Sequence, residues 1–339
     1  MVQVYGRHAT RSWTVPPSGS DLEVAAAAIS AGEWATFTST YPTTLAALLD
    51  VGGGKRCTEY ADKMVWDASL KKIYFTGGGH GQEEKTIVYD DATNTWEDLG
   101  SPPWYTPVEG NAIHGYQHNT LIGTTHYYGQ FASRIIHTRD VTQGNSSWSV
   151  LGSEPNQFSG LTGAVEYFPS YGAGGSLIVV QGTGADAGTL VRWFDSGWSE
   201  VATPAMGAYH NIGLYSPARD LMFFGGGANS AKLYTLSNAG SVVARAACPV
   251  NFGIIDSCNF IDPVSGDLVA ITGDQTVRVF DQDANTWGTD TAPPAGFWSD
   301  TIYAEGEVMG NVACSIPEYD VTLFLTIAGP TAYLRKGRA

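Results

Sequence analysis

Positive charge is scarce in this chain: 18 Lys and Arg stand against 33 Asp and Glu in 339 residues, a formal charge of −15 and a pI near 4.7. Binding to nucleic acid or to an anionic membrane draws its affinity from counterions released by Lys and Arg, so a basic recognition surface is excluded. Charged residues of either sign make up only 15% of the chain, too few for long solvated helices. No apolar run is long enough to span a bilayer, and none is expected to insert in a membrane. The first 21 residues hold no apolar core of the kind a secretory leader needs, and Val24–Ile29 is too short and too late to supply one, so no leader is expected. Cysteine is sparse as well. Cys57, Cys248, Cys258 and Cys314 lie far apart with no C-x-x-C spacing, which argues against zinc and for buried thiols, with a Cys248–Cys258 disulfide as the alternative. Neither a metal nor a cofactor is expected.

What the chain has in quantity is glycine, 41 residues, and aromatics, 12%. That mixture belongs to many short strands joined by tight turns. The strands recur at a period of roughly 40 to 50 residues. One full cycle reads Met64–Asp67, Lys72–Thr76, a Gly77–Gly79 turn, Thr86–Asp90 and Thr95–Leu99. The cycle returns with Ile212–Tyr215, Leu221–Phe224, a Gly225–Gly227 turn, Lys232–Leu236 and Val242–Val243, and again from Cys258 to Trp287. Val165–Tyr167 to Trp198 gives another copy, and His118–Ile122 to Trp148 the most divergent one. The second strands are nearly continuous apolar runs, as for sheets covered on both faces.

Five outer strands are marked by Trp96, Trp148, Trp198, Val243 and Trp287, yet the last repeat, Val312–Leu334, stops after three strands. Glu33–Thr38, carrying Trp34, is the missing fourth. The expected fold is therefore all-β: a six-bladed β-propeller of four-stranded blades over residues 31–339, six blades in preference to seven, its last blade closed by an N-terminal strand. Residues 1–20 form an arm or a disordered end.

Three motifs resolve into bland readings. Gly52–Lys55 lacks the first Gly and the final Ser or Thr of a phosphate loop. Gly182–Gly188 misses the dinucleotide spacing and follows a strand, which makes it a blade loop. Asp281-Gln-Asp-Ala-Asn285 lacks the Gly and Glu of a calcium loop, and Asp90–Asn94 repeats it; both read as hairpin turns in which Asp and Asn bond backbone amides.

The Gly-Gly doublets, Tyr89 and Tyr234 in third strands, and the Trp of the fourth resemble the kelch family and, more loosely, the central propeller of galactose-oxidase-like proteins. The resemblance implies architecture and hardly any activity. It also implies that interblade connections and the loops between second and third strands share one face, around the mouth of the axis. That face would receive Glu59, Tyr60, Asp62, His80, His114, Tyr116, His118, Tyr209, His210, Asp256, Phe297, Trp298 and Asp300. Aromatics that follow a Pro in the connections (Trp104, Tyr105, Phe158, Tyr209, Phe252, Phe297, Trp298) either stack on a ligand or wedge between blades. The residues taken as candidate binders are Tyr60, His80, Trp104, Tyr116, His118, Tyr209, His210, Trp298 and Asp300.

Three functions fit this placement. The first is a non-enzymatic binding or assembly module, favoured as a virion tail or host-attachment component whose partners are surface polysaccharide or other tail proteins. The second is a polysaccharide lyase with His118 or His210 as base, Tyr116 or Tyr209 as acid and Arg56 as the neutralising cation. The third is a kelch-type scaffold for a protein partner, and the virion location is favoured over the cytoplasm.

Overall fold

The computed structural model describes residues 19–79, 83–105, 114–130, 133, 135–153, 162–184, 187–194, 197–298, 310–327 and 331–338. The chain is a six-bladed propeller: six antiparallel sheets of four strands. Blade one holds Val65–Asp67, Lys72–Gly78, Glu84–Asp90 and Thr95–Gly100, from the axis outward. Blade two follows with Asn119–Ile122, Thr125–Gly129, Ile135–Asp140 and Ser149–Ser153, and blade three with Ala164–Phe168, Ser176–Gly184, Ala187–Phe194 and Gly197–Ala202. Blade four comprises Ala208–Ser216, Leu221–Ala228, Leu233–Ser237 and Val242–Ala244; blade five Ser257–Ile261, Leu268–Thr272, Val277–Asp281 and Thr286–Asp290. Blade six takes Val312–Ile316, Val321–Leu325 and Ala332–Lys336 from the end of the chain and Trp34–Phe37 from its beginning. Trp34 pairs with Arg335 and Phe37 with Ala332, so the closure expected at Glu33–Thr38 is a real ladder.

Burial explains the apolar second strands. All five residues of Leu268–Thr272 are buried, because both faces of that sheet meet a neighbouring blade. The Asp at the end of a strand sets the hairpins. Asp90 Oδ1 accepts from the backbone N–H of Ala92, and Asp281 Oδ1 from those of Asp283 and Ala284, as the turn reading of both motifs requires.

The glycine runs differ from their turn reading. Gly77 and Gly78 continue the second strand of blade one, paired with Lys85 and Glu84, and Gly225–Gly227 lie within the second strand of blade four. Gly182–Gly184 likewise end a strand. Their lack of a side chain admits the neighbouring connection: a Cβ on Gly77 would meet the Cys57 carbonyl at 2.6 Å. Gly227 N–H donates to the Phe252 carbonyl at 3.1 Å, so the bare backbone also bonds what approaches it.

Three asparagines at or near the start of inner strands add a second tie. Asn119 brackets Thr76 of blade one, accepting from its N–H (2.8 Å) and donating to its C=O (2.9 Å). Asn211 accepts from Gly182 N–H of blade three at 2.6 Å, and Asn311 accepts from Ile327 N–H at 2.9 Å while donating to the Phe297 carbonyl at 2.6 Å. A primary amide offers the donor and acceptor of a peptide group, so it extends the ladder across a gap that no strand fills.

Two short helices were not foreseen. Helix α1 (Asp21–Ala27) is capped by Ser20, which accepts from Glu23 N–H, and α2 (Leu45–Leu49) by Thr44, which accepts from Ala47 N–H. Leu22 and Ala26 of α1 are buried in the core cluster that joins blades one and six, so the packed unit begins ahead of residue 31. Of the expected arm, residues 1–18 lie outside the described residues. The four cysteines are buried free thiols, and the alternative Cys248–Cys258 disulfide is not formed. Burial pushes Cys57 up to about 12, leaving it an unreactive thiol.

The closing strand yields a register test. Phe37 is buried against Tyr89 of blade one, whereas Thr36 is exposed. Phe37→Ala is expected to cost about 3 kcal/mol, read as a lower urea midpoint at unchanged slope, and Thr36→Ala less than about 0.5 kcal/mol. Equal losses would contradict the register.

Candidate functional site

The chain enters each blade at the axis, and these connections hydrogen-bond to one another around the mouth. Tyr116 N–H donates to the Tyr60 carbonyl (2.6 Å), Val165 to Gln117 (2.9 Å), His210 to Thr162 (2.9 Å), Ile254 to His210 (3.0 Å) and Ala313 to Asp62 (2.8 Å). To make these bonds and still turn into the inner strand, four bulky residues adopt a left-handed backbone: Tyr60 (φ 53°), Tyr116 (φ 38°), Tyr209 (φ 53°) and His210 (φ 57°). Each such conformation costs on the order of 1–3 kcal/mol and persists where its surroundings over-determine it.

Their side chains form one cluster. Tyr60 stacks on His114 with ring centroids 3.9 Å apart and an interplanar angle of 9°, and His210 lies 6.1 Å from Tyr60 on a similar plane. Tyr116 sits at the centre. Its hydroxyl shares a 2.9 Å hydrogen bond with His114 Nδ1, and its ring meets His118 at 5.3 Å and His210 at 5.2 Å, edge to face. Tyr209 borders His210 at 6.3 Å and is 52% exposed, while Tyr116 and His118 are buried. Five of the candidates, Tyr60, Tyr116, His118, Tyr209 and His210, thus converge, together with His114.

The other candidates do not join them. Trp104 stacks on His137 at 3.9 Å and meets Trp148 edge on, wedged within blade two. Trp298 packs edge on against Phe297, itself buried among Trp34, Phe324 and Tyr333. Phe252, also buried, packs on Trp287. These three connections therefore use their aromatics for packing inside the propeller. Arg56 pairs with Asp50 at 3.6 Å, beside α2. His80, Asp300 and Phe158 lie outside the described residues.

Polar groups beneath the cluster carry no motif. His118 is followed at 6.1 Å by Tyr128, whose hydroxyl donates to Glu84 at 3.1 Å. On the axis, Asp62 Oδ2 accepts from Gln117 Nε2 (2.9 Å), Asn259 Nδ2 (2.8 Å) and Asn259 N–H (3.2 Å), while Gln117 Oε1 accepts from Gly213 N–H (2.7 Å). Blades one, two, four and five are thereby joined by a buried polar plug. Beyond it, at the far end of the axis, lies a cavity of about 620 Å³ lined by inner-strand residues of every blade. None of the residues proposed from sequence lines it.

Burial governs the ionisation of these groups. It lowers His118 to about 3 and His210 and His137 to about 4, and holds His126 well below its ordinary value. It raises Asp62 to about 7 against the opposing bonds from Asn259 and Gln117, and Glu84 to about 8 against the bond from Tyr128. The Tyr116 phenol is also pushed up by burial. At neutral pH His118 and His210 are therefore neutral imidazoles and Tyr116 a neutral phenol. Among the described residues no group of three or more His, Cys, Asp or Glu is placed to hold a metal, and no helix is long and apolar enough to cross a membrane.

No protein-family model matches the sequence. No curated protein matches it either. Solved structures similar in fold include a Bacteroides thetaiotaomicron structural-genomics protein of unknown function, with a TM-score of 0.55 and 10% identity over 90% of this chain and 76% of that one. A chain of the mitotic checkpoint complex gives a TM-score of 0.53 and 10% identity over 100% and 99%, and a chain of the nidogen/laminin complex 0.51 and 11% over 70% and 81%. At such identities the likeness concerns the fold alone.

The shifted groups set the pH dependence of stability. Folding releases protons from His118, His126, His137 and His210 below their unfolded value of about 6.5, so stability rises with pH from about 4 to 6.5. Folding takes up protons at Asp62 and Glu84 between their unfolded values near 4 and their folded values of about 7 and 8, so these two oppose that rise and lower stability from 6.5 to 8. Four imidazoles outweigh two carboxyls below 6.5, which places the maximum near pH 6.5. Urea denaturation from pH 4 to 9 should find it there, and Glu84→Gln, which removes the carboxyl that titrates at about 8, should flatten the alkaline side. A stability still climbing from pH 6.5 to 8 would contradict these assignments.

Proposed function

We propose that this propeller is a non-enzymatic binding and assembly module whose mouth contacts a glycan or a neighbouring protein, serving in a virion tail or host-attachment position. The observation that carries the reading is the convergence of Tyr60, His114, Tyr116, His210 and the exposed Tyr209 at the axis. Flat aromatic faces stack on the apolar side of a sugar ring or anchor a partner side chain, and the neutral imidazole of His210 beside them offers both a donor and an acceptor. The rings are held by backbone bonds between blades, so little ordering opposes binding. The virion placement draws on composition: few charges, many aromatics and glycines and an acidic balance suit a protein working outside a cell.

Several features favour binding over uronate elimination. A lyase base must reach a substrate proton, and His118 is fully buried with its basicity suppressed. The cation meant to neutralise the enolate, Arg56, is engaged with Asp50. Uronate polymers are polyanions, and a chain of charge −15 repels them. A kelch-type scaffold would use the same mouth for a protein partner and shares the prediction below.

Tyr209→Ala, at an exposed position, should weaken binding to a glycan array or to purified tail proteins about tenfold without changing the melting temperature. Unchanged binding would remove the mouth from the interface. Release of unsaturated uronate product, abolished by His210→Ala, would replace this reading with the lyase, and absence of the protein from purified virions would withdraw the virion placement.

A further inference from the structure

The cavity at the opposite end of the axis is separated from the mouth by the plug of Asp62, Gln117 and Asn259. Its volume of about 620 Å³ is that of a small-molecule site. The walls are preformed, since Leu121, Leu214 and Ile261 project from inner strands that are each held by a ladder to the second strand of the blade. The rim is stiff. Pro217, Pro263 and Pro317 occupy the same position, just after the inner strand, in blades four, five and six, and the ring of each fixes φ.

One polar group at the inner end is incompletely used. Lys63, 6% exposed, donates to the Val165 carbonyl at 2.9 Å and to Glu166 Oε2 at 3.2 Å, which engages two of the three N–H bonds of an ammonium. Glu166 is committed elsewhere as well: Oε1 accepts from Thr120 Oγ1 at 2.9 Å and Tyr167 N–H at 2.8 Å. Lys63 and Glu166 cancel each other's charge, and Asp262 is neutralised by Arg335 at 3.0 Å. The remaining acid of the lining, Glu318, accepts from Trp66 Nε1 at 2.8 Å at the exposed rim and repels anions. A charged ligand would have to be buried beside a pair already balanced, at a desolvation cost nothing there offsets. We infer that this cavity is a second binding site, for an uncharged small molecule with an apolar body and one hydrogen-bond acceptor, seated with that acceptor on Lys63 Nζ.

The site is independent of the mouth, and its test does not depend on the mouth reading. Nile red, a neutral dye with a ring carbonyl, should bind saturably at one site with blue-shifted emission, and the anionic dye 1-anilinonaphthalene-8-sulfonate should bind there more weakly. Ala218→Trp, on the exposed turn that forms the rim, should lower Nile red affinity about tenfold or more while circular dichroism stays unchanged. Val150→Ser, on an exposed outer strand, should leave the affinity as it was. The double variant Lys63→Met with Glu166→Gln removes the donor without stranding a buried charge, and should lower affinity about fivefold. The proposal is overturned by an absence of saturable binding, by binding that Ala218→Trp does not disturb, or by tighter binding of the anionic dye.

Discussion

The carboxylate of Asp62 is the junction on which the centre of this molecule depends. It reaches the axis from the first blade and accepts hydrogen bonds from the second and the fifth, so three sheets with no common ladder are fixed to one oxygen. Gln117 passes the connection to the fourth blade through Gly213. Burial of an acid here is costly, and its pKa rises to about 7 in consequence. In return the axis is crossed by protein in place of solvent, and its two ends become separate environments. One is aromatic and rich in imidazole; the other is apolar around a balanced ion pair.

The aromatic end also gathers the ring-bearing residues that adopt a left-handed backbone. Tyr60, Tyr116, Tyr209 and His210 adopt positive φ where the chain passes from one blade to the next, and the carbonyls of Tyr60 and His210 are themselves interblade acceptors. The backbone that closes the ring and the side chains that form the cluster belong to the same residues. A change of partner at the mouth therefore acts directly on the contacts between blades. Gly115, beside Tyr116, is constrained for the same reason, since a Cβ there would meet the Ala61 Cβ at 2.9 Å.

Blade number, strand order and the closing strand were legible because each follows from a repeat: an apolar second strand, a third strand that ends in Asp in blades one, two and five, and a fourth marked by Trp in every blade but the fourth. The mouth residues Tyr60, Tyr116, His118, Tyr209 and His210 were legible as positions, since a first strand must begin at the axis. Trp104 and Trp298 followed the same aromatic-after-proline pattern, yet pack against His137 and Phe297, because a ring in a connection serves as well to fill the interior as to meet a ligand. The plug left a weaker trace. Gln117 lies in the connection just ahead of the second blade's inner strand and Asn259 within the fifth blade's, and only three-dimensional closure brings them to Asp62. The asparagines Asn119, Asn211 and Asn311 are a signal readable in the sequence, a side-chain amide recurring at the axis in blades two, four and six. The glycine runs misled in the other direction, being places where a neighbouring connection comes too close for a side chain.

Closure by a four-residue strand also has a mechanical meaning. Trp34 lies opposite Arg335, so the segments leading to and from this ladder emerge at the same end of it. A load applied across them would act on the hydrogen bonds one after another, as in opening a zip, and would not stretch them all at once in shear. Resistance then falls to what lies just outside the ladder: the bond from Gly32 N–H to the Lys336 carbonyl and the docking of α1 through Leu22 and Ala26. The small helix, packed on the core shared by blades one and six, therefore lies on the path by which such a load would open the ring.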